Sequence, residues 1–137
     1  MVTEEFLAEM LPRQLDAERA LCRGDAEPRR HTWSHEDPVT VFGASKVPVR
    51  RGWDEVSGLF KDVAASFSGL DAYEFELVAA GASGDLAYTV GFEHKTAVIN
   101  GETKTYTLRV THVYRREDGE WKTVHRHGDH VDRGTSS

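Results

Sequence analysis

Apolar positions repeat at helical spacing in the first half of the chain and at every second residue in the second half. From Thr3, a residue type suited to an N-cap, Phe6, Leu7, Met10, Leu11, Leu15, Ala17 and Leu21 recur up to Gly24. Pro12 lies inside this run and predicts a kink or a division, because it removes one backbone donor. RGDAEPRRHTW reads as a turn and a short second helix, and Val39–Phe42 as a strand ending at Gly43. Trp53, Val56, Leu59, Phe60, Val63 and Phe67 mark one face of a further helix that begins after Gly52 and stops before Ser68-Gly69.

Beyond that point Tyr73-Glu-Phe-Glu-Leu alternates, and Leu86–Thr96, Lys104–Arg116 and Trp121–His127 are rich in strand formers. GASGDL reads as a tight turn, since it has no lysine and no following helix to make a phosphate loop. Asn100-Gly101 is a two-residue hairpin signal, and Glu117-Asp118-Gly119 suits a type I turn with glycine in the bulge position. Helices followed by a meander predict an α+β domain whose sheet wraps over the helices.

These turns convert into faces. An Asn100-Gly101 loop pairs Ile99 with Glu102, and therefore Phe92 with Arg109, Val90 with Thr111 and Tyr88 with Val113. A bulged second turn pairs Arg116 with Glu120, setting Thr111 across from His125 and Arg109 across from His127. One mixed face then carries Tyr88, Val90, Phe92, Arg109, Thr111, Val113, Thr123, His125 and His127, a composition expected of a pocket wall. Val110, His112, Tyr114, Lys122, Val124 and Arg126 fall on the other face. A two-residue turn at Asp118-Gly119 would pair His112 with His125 instead.

Composition narrows the classes. The 137 residues suit one domain, expected over 1–137 with tails at 1–3 and about 132–137. With 39% hydrophobic and 29% charged residues and no long apolar run, a soluble cytoplasmic protein without membrane span or signal peptide is expected. A formal charge of −6 argues against nucleic acid as a partner. The single cysteine, Cys22, sits in the helical pattern and reads as a buried structural thiol.

GDAEP, WSHEDPVTVFGA, RGWDEV, GDLAYTVGFEH and LRVTHVYRREDGEWKTVHRHGDH, in this order, resemble the SnoaL-like proteins of the nuclear-transport-factor-2-like superfamily, which also contains ketosteroid isomerase. The resemblance implies a cone of helices packed on a strongly curved antiparallel sheet, a pocket within it, and a homodimer formed through the sheet's outer side. In ketosteroid isomerase the base is an aspartate in an E-D-P motif, and Glu36-Asp37-Pro38 matches the letters. The position does not match. Counting back from Gly52, the base would fall near Phe42–Ala44, where no carboxylate stands.

The chemistry therefore centres on VHRHGDH. His125 and His127 could share a zinc ion with His130 or Asp129, but no dependable third ligand follows and Arg109 would repel a cation, so no metal and no cofactor is expected. In the acid–base reading His127, with His125, moves a proton while Arg109 stabilises negative charge, and Trp33, Phe42, Tyr88, Phe92 and Thr111 hold a small organic molecule. That makes an isomerase, cyclase or hydratase acting on a carbonyl-bearing or anionic substrate. The alternative is a non-catalytic ligand-binding or dimerisation module.

Overall fold

In the computed structural model, which describes residues 2–43 and 47–131, burial decides the first helix more than propensity does. Helix α1 (Val2–Cys22) buries Phe6, Met10, Ala17, Leu21 and Cys22 on one stripe, together with the polar Gln14 and Glu18. It runs unbroken through Pro12, against the expected division. The carbonyl that proline deprives of a donor belongs to the exposed Ala8 and can face water, while burial of the apolar stripe keeps the helix continuous. Thr3 is inside the helix, not before it, and its Oγ1 accepts the Ala82 N–H at 3.1 Å. The expected tail at 1–3 is thus helical from Val2. Met1 and 132–137 lie outside the described residues.

The remaining elements are α2 (Glu27–Thr32), β1 (Thr40–Phe42), β2 (Arg50–Arg51), α3 (Trp53–Ser66), β3 (Phe67–Ser83), β4 (Leu86–Ile99), β5 (Glu102–Glu117) and β6 (Glu120–His130). They form one curved six-stranded sheet in the order β2-β1-β6-β5-β4-β3. Among the strands of the described residues, only the β1–β6 pair is parallel. Strand β3 starts six residues before the alternating stretch, directly after α3. Register shifts near Phe67, Leu70 and Leu77 interrupt its two-residue period, which is why its ends were not legible as a pattern. No helix among the described residues is long and apolar enough to cross a membrane.

The Asn100-Gly101 hairpin forms as predicted. Both turn residues have positive φ, 51° and 83°, and Ile99 pairs with Glu102, Phe92 with Arg109 and Val90 with Thr111. The second hairpin differs. Asp118 also takes a positive φ of 51°, so Asp118-Gly119 closes a two-residue turn with Glu117 paired to Glu120. The extra residue sits further along β6 at Val124, between the Tyr114–Thr123 and Val113–His125 pairs. That displaced bulge restores the phase, so His125 faces with Val113, His127 with Thr111, and Asp129, in place of His127, with Arg109.

The three helices cover the other face. Phe6 packs on Tyr114 and Trp121 with ring centroids 4.8 and 5.0 Å apart, and Leu21, Trp33, Val56, Leu59 and Phe60 build a second cluster under Val124. The face carrying Tyr88, Phe92, Arg109, Thr111, His125 and His127 is therefore the sheet's outer side, correcting the expectation that it lines the interior. Thr123, which precedes the bulge, leaves that set and points inward.

Candidate functional site

Among the described residues, the interior that the helices and sheet enclose holds six buried charged or imidazole side chains: Glu18, Arg29, Glu93, Lys95, His112 and Arg126. Each position follows from the pattern of its element. Gln14 and Glu18 lie four apart on the buried stripe of α1. Glu93 and Lys95 are two apart on β4 and point inward with Ala87, Thr89 and Ala97. His112 of β5 is paired directly with Arg126 of β6.

Both buried carboxylates are held by an arginine. Arg126 donates from Nη2 to Glu93 Oε1 at 2.8 Å and from Nη1 to Oε2 at 3.2 Å, and Tyr73 donates its hydroxyl to Oε2 at 2.8 Å. Arg29 Nε donates to Glu18 Oε2 at 3.0 Å, and Nη2 pairs with Oε1. Arg126 Nη1 also lies 3.8 Å from Glu18 Oε1, so the two ion pairs form one network. Burial would raise the Glu93 carboxyl, yet Arg126 and Lys95 outweigh it and hold it well below the usual range. Glu18 is lowered likewise, with Arg29 the chief opponent of its burial.

His112 adds no charge to this network. Arg126 Nη1 stands 3.2 Å from its Nε2, and a guanidinium can only donate, so Nε2 is the accepting nitrogen; Nδ1 lies 3.5 Å from the side-chain nitrogen of Gln14. Burial, reinforced by the Arg126 charge, pushes the imidazole down to about 3, and it is neutral at ordinary pH.

Next to this network lies a cavity of about 340 Å³, lined by apolar groups such as Leu21, Phe67 and Leu108 and by Arg29, Lys95, Lys104, Tyr106 and Arg126. His130 is at its edge, its ring 5.4 Å from that of Tyr106. Burial raises the Tyr106 phenol, which keeps it a neutral donor. No carboxylate lines the cavity among the described residues. At the edge, Gly43 has φ +91° and a Cβ there would lie 1.9 Å from the Gly128 carbonyl oxygen, so only glycine lets β1 pass β6 this closely.

Of the residues expected to make the site, Phe42 alone lines this cavity. Its ring also packs edge-on to His125 and His127, 5.2 and 5.6 Å away. Phe92, Arg109, Thr111 and His127 do come together, but around an open hollow on the outer face. There Arg109, 62% exposed, is held by two 2.9 Å bonds to Asp129. His125 Nδ1 bonds Thr40 Oγ1 at 2.8 Å, and burial, then His127, lowers its proton affinity. Tyr88 is exposed on the same side, and Trp33 is core, packed on Phe60 at 5.0 Å. Asp129 and His130 point to opposite faces, so the four late residues do not converge. Asp37 accepts the Trp53 N–H at 3.1 Å and serves as a cap for α3, not as a base.

The interior residues that sequence reasoning missed had a signal: polar side chains sitting on otherwise buried stripes, Gln14 and Glu18 on α1 and Glu93 and Lys95 on β4.

Helices laid against one face of a curved, mostly antiparallel sheet, with a cavity between them, define the nuclear-transport-factor-2-like class. The chain belongs to its SnoaL-like family, whose domain model matches residues 16–129. Among solved structures it is similar to a candidate dehydratase of the nuclear-transport-factor-2-like family from Streptomyces avermitilis, with a TM-score of 0.76 and 20% identity, covering 95% of this chain and 99% of that one. It is also similar to a ketosteroid isomerase-like protein from Erwinia carotovora atroseptica, with a TM-score of 0.74 and 18% identity over 94% and 98% of the two chains. A third is a candidate calcium/calmodulin-dependent protein kinase type II association domain from Thiobacillus denitrificans, with a TM-score of 0.72 and 16% identity over 90% and 96%. At these identities the likeness is one of fold. No curated protein matches the chain.

Proposed function

We propose that this protein binds a small carbonyl-bearing or anionic organic molecule in the cavity between its helices and the inner face of the sheet. The observation that carries the reading is the lining itself: apolar walls with Lys95, Arg126 and Tyr106 converging as donors and no carboxylate opposing them among the described residues. Such donors hold a carbonyl oxygen and stabilise charge developing on it. In a catalytic version, of isomerase, cyclase or hydratase type, the role expected of His127 passes to His130, the cavity's own imidazole, and that of Arg109 to Lys95 and Arg126. Binding without turnover is favoured by one specific observation: His112, the buried imidazole, has its acceptor nitrogen occupied by Arg126 and is not open to a ligand.

A thermal-shift screen of ketones, phenols and carboxylic acids tests the reading. A hit at about 100 times its Kd adds roughly 2.7 kcal/mol of stability. Leu108→Trp, which fills the cavity with an indole, is expected to erase the shift, and hits that persist in it undiminished would sink the reading. Assayed for turnover, the same hits lose roughly a hundredfold in His130→Gln if that imidazole is the base, and are not turned over at all by a pure binding protein.

The outer face supports a homodimer. Val78, Leu86 and Tyr88 leave 60%, 57% and 44% of their surface exposed on neighbouring strands, more than isolated apolar residues need explain. One of the similar structures is described as an association domain. Light scattering at micromolar concentration is expected to give twice the chain mass for the wild type and a monomer for Val78→Glu/Tyr88→Glu. A monomeric wild type refutes the assignment.

A further inference from the structure

Among the described residues the buried charges do not add to zero. Glu18 and Glu93 supply two negative charges, Arg29, Arg126 and Lys95 three positive ones, and His112 is neutral, which leaves these buried groups with an excess of one positive charge. Burying an uncompensated ion is costly, and proteins relieve the cost by pairing it.

The surplus can be assigned to an atom. Arg29 and Arg126 each bond a carboxylate through two nitrogens. Lys95 does not. Its side chain is 3% exposed, its nearest anion is Glu93 Oε1 at 3.4 Å, and that oxygen is already taken by Arg126 Nη2 at 2.8 Å. Among the described residues Nζ makes no hydrogen bond. It stands 5.8–5.9 Å from the ring centres of Phe67, Tyr73 and Tyr106, which attract a cation through their faces but accept no full charge. Lys95, Phe67 and Tyr106 are all part of the cavity wall. Lys104, also on that wall, is solvated and needs no partner.

We infer that the cavity's ligand is an organic monoanion, a carboxylate on a flat apolar body, whose anionic head docks on Lys95 Nζ and whose body lies against Phe67, Tyr106 and Leu108. The inference rests on the cavity being the binding site and adds what binds there and where. A monoanion brings the interior to neutrality and supplies the acceptors that the ammonium lacks. A neutral molecule of the same shape leaves both wants in place, and a cation would add to the excess.

The test uses an isosteric pair, 2-naphthoate and 2-naphthamide, titrated into the intact protein by calorimetry, with two-dimensional NMR to locate the contacts. Wild type is expected to bind 2-naphthoate at least tenfold more tightly than 2-naphthamide, with shifts at Tyr106 and Leu108. In Lys95→Met the preference is expected to vanish, whereas Lys95→Arg keeps part of it. The ligand-free Lys95→Met protein is expected to melt a few degrees higher than wild type, because it has lost the surplus charge but none of the paired ones.

Equal binding of the two compounds in the cavity overturns the monoanion while leaving the small-molecule reading intact. Binding of neither overturns both. A lower melting temperature in Lys95→Met shows that Lys95 is a structural partner of Glu93 and also overturns the inference.

Discussion

Glu93→Gln is expected to lower the unfolding free energy by about 3–5 kcal/mol, the cost of stranding buried cations whose anion has been removed. The substitution keeps the shape of the side chain, so packing contributes little. What changes is that Arg126 loses its two-point partner and Lys95 its ion pair with Glu93, with Glu18 left as the one buried carboxylate among the described residues. In a urea titration, where a domain of this size loses roughly 1–3 kcal/mol per molar, the midpoint moves down by on the order of 2 M. A double variant, Glu93→Leu/Arg126→Met, restores the original charge sum and should recover much of the loss relative to Glu93→Gln. A loss below about 1 kcal/mol would mean that the network is not closed in the way its distances indicate.

Stability is expected to fall by about 5 kcal/mol between neutral pH and pH 3, with His112 as the main early cause. Unfolded, this imidazole takes up a proton near its ordinary 6.5, whereas in the fold it stays neutral down to about 3. Throughout that window the unfolded chain binds more protons, so acid favours unfolding and stability rises with pH. His125, lowered less by its partial burial, acts in the same direction. Glu93 and Glu18 join below the ordinary carboxylate value of 4.5, since their folded forms resist protonation and their stabilisation is lost as pH falls through the lowered values. Melting temperatures at pH 7.5, 6.5, 5.5 and 5.0 separate the contributions. His112→Gln, which keeps an acceptor for Arg126 but cannot ionise, is expected to flatten this range, and an unchanged slope would assign the acid sensitivity elsewhere.

How much of this could be read from the sequence depends on what each pattern encodes. Helix positions and hairpins are local, and the spacing of Phe6, Met10 and Leu21 or the Asn100-Gly101 dipeptide is enough to place them. The pairing of Phe92 with Arg109 follows from the turn alone. Which face of the sheet is covered does not, because alternation says only that Arg109 and Val110 point apart. Sequence composition favoured the side with Tyr88, Phe92 and the two late histidines as a pocket wall. The helices instead cover the side with Glu93, His112 and Arg126, whose polar groups are admissible inside because each finds its complement on a distant element. Complementarity between Glu18 on α1 and Arg29 on α2, or between Glu93 and Arg126, is a property of the assembled fold. Its trace in the chain was polar residues occupying apolar stripes.

The displaced bulge at Val124 has a consequence for how such an interior can change over evolutionary time. With it, Arg126 enters the molecule and His125 stays outside; a strand hydrogen-bonded straight through would bring the imidazole in and turn the guanidinium out. A related chain lacking one residue at this point keeps the same polarity, whereas one that slips its pairing exchanges an ionic centre for an imidazole centre. The same letters can thus furnish two chemically different chambers, through a change of phase instead of a change of residue.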